Sequence, residues 1–534
     1  MRTDVMWKPP KLRRAGGVLL HPTSLPTPFG IGDLGPSALA FVDELKRAQV
    51  AWWQVLPLGP TGYGDSPYAS FSSFAGNTHL ISPVGLAEDG LLQPSDLAAP
   101  PFPVDRVDFG RVIPFKNDLL EKAWQRYQNQ PPPGLRAELA KFLEEHAAWL
   151  SDYALFRALK EHFPGKGMLD WPEPVLRRER TSLDEARREL RARLDFYAFG
   201  QFLFYRQWHR LKSHAHDRGV RLLGDVPIFV AADSADVWAH PELFLLDARR
   251  QPTHVAGVPP DYFSVTGQLW GNPLYDWEEH SRTGFAWWIQ RLQAALDQVD
   301  LVRLDHFRGF EAAWHVPAGA KTAEVGDWLP GPGLSFFRAV QEALGELPLV
   351  AEDLGEITPP VRVMLAELGL PGMRILQFAF DSDADNPFLP HHHVANTVVY
   401  TGTHDNDTTR GWYRQAEEGS KEYLKKYIGR AALGDHHAVW ELIRLAWSSV
   451  AVLSVVPLQD ILELGTSARM NLPGQGHGNW DWRLHPEAPL RAAFDRLAEF
   501  SHLYARCPPA PPKAPEEAPQ AAGHPENSNG APQS

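Results

Sequence analysis

The 534-residue chain has a single cysteine, Cys507, so an intrachain disulfide is excluded. Such sparing use of cysteine is typical of proteins from a reducing compartment and predicts a cytoplasmic location. Positive charge is also scarce, since 52 Lys and Arg residues stand against 65 Asp and Glu residues and the formal net charge is −13. Nucleic-acid binding needs a basic surface to neutralise phosphates, so nucleic acid is not expected as a main partner.

Long hydrophobic runs are missing as well. The most apolar internal stretch, AWSSVAVLSVVPLQD, is interrupted by serines and by Pro457. It falls short of the roughly 20 apolar residues that a membrane helix requires. The first residues, MRTDVMWKPPKLRR, are basic but are not followed by the apolar region of a secretory signal. The sequence therefore predicts a soluble protein with no membrane contact.

Several common catalytic and cofactor motifs are absent too. No GxGxxG or GxxxxGK[ST] motif follows an apolar run, which makes nucleotide binding less expected. No GxSxG motif is present, which argues against a serine nucleophile.

Aromatic residues, in contrast, are plentiful and include 19 tryptophans. Core packing explains most of them. Several nevertheless stand beside Gly, Asn and Asp in the loop-like stretches QLWGNPLYDW, TRGWYR and HGNWDWR. Aromatic rings in such places can stack on the apolar faces of sugar rings, so composition alone leaves packing and sugar recognition both open.

Short apolar, β-branched runs that end on a polar residue recur along the chain. Their composition is typical of strands buried on both faces of a parallel sheet, and helical patterns lie between many of them. Eight such strands predict an α/β fold of the (β/α)8 TIM-barrel type, with an open doubly wound sheet as the alternative. The runs are GGVLLHP (16–22), AWWQVLPL (51–58), GVRLLGDVP (219–227), DLVRLDH (300–306), LPLVAEDLG (347–355), MRILQFAF (373–380), NTVVYTGTHD (396–405) and VAVLSVVPLQD (450–460).

Changes in composition divide the chain further. Residues from about 115 to 217 have helical periodicity, which predicts a mostly helical insertion in a catalytic barrel that spans 15–505. Residues 1–14 form an N-terminal extension. The tail at 507–534 is rich in Pro and Ala with almost no large apolar side chain, and we expect it to be disordered.

Four of the strand ends carry a carboxylate: Asp225, Asp305, Glu352 and Asp405. One such acid often only caps a helix, but in a parallel barrel all four would converge on the catalytic face. Two carboxylates suffice for glycoside chemistry, one as nucleophile and one as general acid. Arg303 precedes Asp305 by two residues and so shares its face of the strand. We expect this cation to lower the pKa of Asp305, which makes it the nucleophile, and we expect a raised pKa for Glu352 as the acid.

The remaining polar residues near these ends suggest further roles. Asp405 would bind sugar hydroxyls, and His306 and His404 would donate hydrogen bonds to them. A barrel metallohydrolase is the sharpest alternative, since His21, His306, His404, Asp225, Asp305 and Glu352 are suitable ligand types. No HxH or HExxH pair supports it, and the arginines beside Asp305 would oppose a cation. No metal is therefore expected.

The long motifs of the chain resemble those of the amylomaltases, the 4-α-glucanotransferases of glycoside hydrolase family 77 in the α-amylase superfamily. The resemblance covers residues of about 15 to 505 and implies a TIM barrel with inserted helical subdomains and no C-terminal β-sandwich domain. It is carried by LLHPTSLPTPFGIGDLG, WWQVLPLGPTGYGDSPYASFSSFAGN, GDVPIFVAADSADVW, AGVPPDYFSVTGQLWGNPLYDW, VRLDHFRGF, VAEDLG, TGTHDNDT and PLQDILELGTSARMNLPG.

The resemblance implies roles for individual residues. Asp305 matches the nucleophile, Glu352 the acid/base and Asp405 the third acid, while Arg303 matches the arginine that supports the nucleophile. Val265 departs from the polar residue found in many relatives. Sugar contacts are implied for Ser66, Tyr68, Asp225, His306, Phe378, His404 and Asn479, and for Gln268 and Trp270 in a cleft-covering loop at about 256–276.

The implied activity is retaining transfer of α-1,4-glucan segments between maltooligosaccharides or longer glucans, with glucose release and cyclisation of long chains. The expected partners are these glucans and sugar acceptors, without a cofactor, in a monomer or weak homo-oligomer. An α-amylase-like hydrolase with the same acids and a non-catalytic glucan-binding protein remain as alternatives.

Overall fold

The computed structural model describes residues 11–260 and 264–508. Most of the predicted tail, from residue 509 onward, and residues 1–10 of the predicted N-terminal extension lie outside these ranges. Within them the chain forms twelve strands: β1 Ala15–Leu19, β2 Trp52–Gln54, β3 Arg221–Pro227, β4 His254–Val258, β5 Gln268–Pro273, β6 Leu301–Asp305, β7 Ala312–Pro317, β8 Asp327–Pro330, β9 Leu349–Ala351, β10 Gly372–Ile375, β11 Thr397–Tyr400 and β12 Leu453–Pro457.

The same ranges contain eighteen α-helices, and none of these described helices has both the length and the apolarity needed to cross a membrane. They are α1 Pro36–Arg47, α2 Pro83–Glu88, α3 Phe109–Asn129, α4 Leu135–Glu145, α5 Ala147–His162, α6 Glu173–Leu176, α7 Arg180–Glu189, α8 Arg191–Asp217, α9 Ala235–Ala239, α10 Trp277–Arg282, α11 Ala286–Gln298, α12 Gly333–Leu344, α13 Pro359–Leu368, α14 Thr409–Gln415, α15 Glu418–Tyr427, α16 Asp435–Ser448, α17 Leu458–Ile461 and α18 Leu490–Leu503.

Eight parallel strands form a barrel in the order β10, β11, β12, β1, β2, β3, β6 and β9. The Ala351 N–H at the end of β9 donates to the Pro371 carbonyl just before β10, at 2.9 Å, and so joins the two outer strands of this order. Each of the eight apolar runs overlaps one barrel strand. The predicted (β/α)8 barrel is therefore confirmed. After β12 the described chain ends with α17 and α18.

The barrel interior is filled by alternate residues of each strand. On β6, Leu301 packs with inward residues of other strands, such as Leu223 and Val350, whereas Val302 and Leu304 pack on the outer helical layer. Because side chains alternate along a strand, Arg303 and Asp305 share the inward face with Leu301. Strand β6 thus places the charges of Arg303 and Asp305 towards the carboxyl end of the barrel.

Two additions lie outside the barrel. Helices α2 to α8 connect β2 to β3, and the 27-residue α8 packs on α5 and on the start of β3. Strands β5, β4, β7 and β8 form an antiparallel sheet. The segment 256–276, described as a loop from the sequence, contributes strand residues to β4 and β5 of this sheet, while residues 261–263 lie outside the described ranges. The local Gly and Pro content concealed both strands, and the pairing of β4 with β7 is long-range.

The two ends of the described chain meet at the amino end of the barrel. Arg506 is fully buried and donates to the carbonyls of Trp447, Ala15 and Ser449 at 2.7–2.9 Å. Arg14 donates to the carbonyls of Trp447 and Ser449 as well. Both guanidinium groups therefore bind carbonyl groups at the end of α16, where the helix dipole favours positive charge.

Candidate active site

The four predicted acids all lie at or just beyond carboxyl ends of barrel strands. Asp225 belongs to β3, Asp305 ends β6, Glu352 follows β9, and Asp405 lies in the loop after β11. Strands β3, β6 and β9 are neighbours in the sheet, and Asp225 is directly opposite Arg303 in their register. Strand order therefore brings acids that are far apart in sequence to one end of the barrel.

Arg303 is the cation that links two of these acids. Its Nη1 lies 2.7 and 2.9 Å from the carboxylate oxygens of Asp225 and 2.8 Å from Oδ1 of Asp305. Its Nε–H is directed at the sulfur of Met373, at 3.4 Å. The Tyr68 hydroxyl donates to Oδ2 of Asp225 at 2.6 Å, the oxygen that also accepts from Arg303 at 2.7 Å. Arg303 is nearly buried, so its charge acts on Asp225 and Asp305 with little screening by water.

Glu352 is held by backbone groups from two loops. Its Oε2 accepts the His306 N–H at 2.8 Å, and its Oε1 accepts the Leu354 N–H at 2.8 Å. His306 adopts a left-handed conformation, with φ 52° and ψ 50°, immediately after Asp305. A non-glycine residue seldom adopts this conformation, and such residues cluster at functional sites. The turn directs the N–H group beside Asp305 towards Glu352 and so couples the positions of the two carboxyls.

The pKa values of these two carboxyls rise. Burial raises the pKa of Asp305 to about 8 against the opposing charge of Arg303, and the charges of Asp225 and Glu352 add to the rise. Burial also raises the pKa of Glu352, opposed by Arg303 and by the two N–H donors. The expected low pKa of Asp305 is therefore wrong, because burial among like charges outweighs a cation that Asp225 shares. The pair retains a proton near neutral pH.

Asp405 is held by two residues that the sequence analysis did not select. The Asn471 side-chain amide donates to Oδ1 of Asp405 at 2.6 Å, and Arg469 donates to its carbonyl at 2.6 Å. The Asn471 N–H also donates to the His404 carbonyl at 3.1 Å. Both residues belong to the motif SARMNLPG, which was recognised only as a whole. A loop sequence does not reveal which polar residue will face which acid.

Aromatic rings form two walls beside the acids. The Tyr68 ring stacks on the His404 ring, with centroids 5.1 Å apart and planes inclined by 11°, and Trp480 is tilted against both. The Trp270 ring meets the His306 ring edge-on at 4.7 Å, and its N–H donates to the Gln268 side chain at 3.2 Å. Trp270 keeps 37% of its surface exposed. Such half-exposed rings suit stacking against sugars.

The other predicted contact residues lie near the same cleft but differ in what they do. Ser66 accepts the Tyr68 N–H at 3.2 Å, and Phe378 is half-buried against Phe388. Asn479 accepts the Leu472 N–H at 2.9 Å and donates to the Gln475 carbonyl at 2.8 Å. Its amide therefore folds the glycine-rich loop before Trp480, and a sugar contact by Asn479 stays a prediction. Val265, the departure from the family pattern, is 87% exposed.

The histidines of the site are neutral. Burial lowers the pKa of His306 to about 3 and that of His21 to about 3, and it also lowers the pKa of His404. The buried Nε2 of His306 has no hydrogen-bond partner among the described residues. In residues 11–260 and 264–508, no group of three or more His, Cys, Asp or Glu side chains is arranged to hold a metal ion.

Comparison with known proteins identifies the family. The profile of glycoside hydrolase family 77, described as 4-alpha-glucanotransferase, matches residues 20–489. The chain belongs to this family.

Individual members of family 77 are similar over nearly their whole length. The 4-alpha-glucanotransferase of Thermus thermophilus is 52% identical over 481 residues, which are 89% of this chain and 96% of that protein. The Synechocystis enzyme is 50% identical over 92% of this chain and 98% of its own length. The solved amylomaltase of Streptococcus agalactiae in complex with acarbose has a TM-score of 0.89 and 39% identity, covering 93% of this chain and all of that one.

Proposed function

We propose that this family 77 enzyme transfers α-1,4-glucan segments from one maltooligosaccharide or glucan to another with retention of configuration. The observation that carries the proposal is the direct coupling of two half-buried carboxyls, in which the N–H that follows Asp305 binds the Glu352 carboxylate. Retaining glycoside chemistry needs such a close pair. The names of the relatives and the acarbose complex of the streptococcal enzyme support the choice of α-glucans.

In the first half-reaction, the Asp305 carboxylate attacks the anomeric carbon of the donor sugar and forms a covalent ester. The bond to the glycosidic oxygen breaks, and Glu352 gives its proton to that oxygen. The proton that burial places on Asp305 in the free enzyme therefore has to lie on Glu352 once the donor is bound. The direct contact of Asp305 with Arg303 favours this arrangement because it stabilises charge on Asp305.

In the second half-reaction, Glu352 removes a proton from an acceptor hydroxyl. That oxygen attacks the anomeric carbon, the ester bond breaks, and Asp305 leaves as a carboxylate. Water and a sugar hydroxyl compete only at this step. Rings such as Trp270 and Tyr68 favour the sugar, because they raise its local concentration and reduce the access of water. Glucose is released as the leaving group when the first half-reaction cleaves the last bond of a short donor, and the choice of acceptor then decides between disproportionation and cyclisation of long chains.

Maltotriose as the sole substrate tests the proposal. Transfer yields glucose together with maltopentaose and longer chains, all visible by high-performance anion-exchange chromatography. Products confined to maltose and glucose would indicate hydrolysis and would refute the proposal. Asp305→Asn, with the nucleophile removed and the side-chain shape kept, supplies the background for the measurement.

We further propose that the enzyme works in the cytoplasm as a monomer or weak homo-oligomer. Its single cysteine, Cys507, suits a reducing compartment. Sedimentation velocity over a hundredfold range of concentration should give a single boundary whose sedimentation coefficient equals that of the monomer or rises gradually with concentration. A larger species with a constant sedimentation coefficient would contradict this assembly state.

A further inference from the structure

A fifth carboxylate lies at the carboxyl end of the barrel. The apolar run of β12 ends on Asp460, which lies in the short helix α17 and is 1% exposed. The four acids of the candidate active site do not include it. A buried carboxylate is costly unless donors surround it, so its partners indicate what it does.

Three donors from one loop bind Asp460. The Thr401 hydroxyl donates to Oδ2 at 2.6 Å, the Thr409 hydroxyl donates to Oδ2 at 2.6 Å, and the Thr409 N–H donates to Oδ1 at 2.7 Å. Thr401 directly follows β11, and Thr409 begins α14. Asp460 therefore joins the two ends of the loop 401–409.

Gln377, a neighbouring residue, also holds the loop 401–409 by hydrogen bonds. The Gln377 N–H donates to the Thr401 carbonyl at 3.1 Å, and its side chain donates to the Asp407 carbonyl at 2.9 Å and the Thr409 hydroxyl at 3.3 Å. Gly402 permits this approach, since a Cβ there would lie 2.6 Å from the Gln377 side-chain nitrogen. The Thr409 hydroxyl thus accepts from Gln377 while it donates to Asp460, and so links the two side chains.

The braced loop carries two residues of the cleft. His404 and Asp405 lie between the two threonines, with His404 stacked on Tyr68 and Asp405 bound by Asn471. Side chains from a loop stay in a reactive position only if the ends of the loop cannot shift, and a displacement of about 1 Å can cost on the order of 100-fold in rate.

We propose that Asp460 is a positioning residue of the transfer reaction, which fixes His404 and Asp405 against the sugar ring by holding Thr401 and Thr409 together. This inference rests on the proposed glucan transfer. It assigns Asp460 no contact with substrate, so its effect passes through the loop.

Asp460→Ala, Asp460→Asn and wild type are compared for kcat and KM with maltotriose, with the folded fraction of each measured by circular dichroism. We expect Asp460→Ala to lower kcat per folded molecule at least about tenfold, as loss of positioning predicts. Asp460→Asn should stay within about threefold of wild type, because its amide oxygen can accept the Thr409 N–H and the threonine hydroxyls can rotate to accept. If Asp460→Ala lowers the total activity only in proportion to its folded fraction, the inference is overturned.

A double-mutant cycle with Asp405→Asn measures the coupling between the two substitutions in the transfer rate, and this coupling does not depend on overall stability. An α-glucosyl fluoride donor allows the low rates to be measured. If Asp460 acts through the loop, Asp460→Ala should lower the rate of Asp405→Asn by clearly less than it lowers the wild-type rate, because residues in one network are not additive and only the contribution of His404 remains to be lost. Independent, multiplicative losses would contradict the inference.

Two milder variants keep the test decisive if Asp460→Ala does not fold. Thr401→Val and Thr409→Val each remove one hydroxyl and conserve shape, and each should lower kcat roughly threefold or more, in line with the loss of one charge-assisted hydrogen bond. Wild-type rates for both would overturn the inference. If the wild-type enzyme itself does not transfer glucan, the proposed function is refuted. Failure of the inference about Asp460 can therefore be distinguished from failure of the proposed function.

Discussion

Removing the charge of Asp305 should make the protein more stable at alkaline pH. Burial raises the pKa of this carboxyl from 3.8 to about 8. Between these values the folded protein holds a proton that the unfolded chain releases, so the free energy of unfolding falls as pH rises from about 4 to 8. Asparagine has nearly the same shape and never carries the charge. Asp305→Asn should therefore escape this loss.

The shift in pKa sets the size of the effect. About 1.4 kcal/mol per pH unit over about four units gives a ceiling of about 6 kcal/mol. Asp225, Glu352 and Asp405 contribute to the interaction with Asp305 or share its cation, so one substitution recovers only part of this energy. We expect Asp305→Asn to gain about 2 kcal/mol over wild type above pH 8 and about zero at pH 4.

Differential scanning calorimetry at pH 4, 6 and 8 measures this difference as a change in Tm. The exposed Asp217, at the end of α8, provides a matched control, and Asp217→Asn should follow the wild-type curve at each pH. The reasoning is refuted if Asp305→Asn melts at or below wild type at pH 8, or if it gains equally at pH 4.

Three further substitutions test the contacts around the barrel. Tyr68→Phe keeps the ring on His404 but removes the hydroxyl from Asp225, and kcat/KM should fall about tenfold or more, since hydrogen bonds to charged groups are worth about 1.5–3 kcal/mol; unchanged kinetics would contradict this. Arg303→Met leaves a buried acid pair without its cation and should cost about 3–5 kcal/mol in urea unfolding, whereas a loss below about 1 kcal/mol would disprove the shared-cation account. Arg506→Leu should lower Tm by several degrees, because buried carbonyls lose their donor, while kcat per folded molecule stays at the wild-type value. A Tm equal to that of wild type would show that Arg506 does not stabilise the junction of the two chain ends.

The barrel strands were predictable because their signal is local. Each run is apolar, β-branched and ended by a polar residue, and a strand buried on both faces needs nothing else. The acids at the strand ends were predictable for the same reason, since parallel strands present their carboxyl ends at one face. Asp305 and Glu352 illustrate this point, as they lie at the ends of the neighbouring strands β6 and β9.

The features that were not foreseen depend on long-range contacts. Strand β4 pairs with β7, and no local pattern in its sequence, HVAGV, predicts a pairing partner so distant in the chain. The direction of the pKa shift of Asp305 depends on burial and on Asp225 sharing Arg303, neither of which a two-residue spacing reveals. Asn471 was not foreseen, because only the folded loop determines which amide meets Asp405.

The most direct test of the mechanism is to trap the covalent sugar on the enzyme. Glu352→Gln, incubated with α-glucosyl fluoride, should accumulate the ester, because the fluoride leaves without an acid and the second half-reaction lacks its base. Mass spectrometry of peptides should then find one glucosyl unit on the peptide that contains Asp305, and on that residue. Release of fluoride with no labelled peptide, or a label on another carboxylate, would contradict the account.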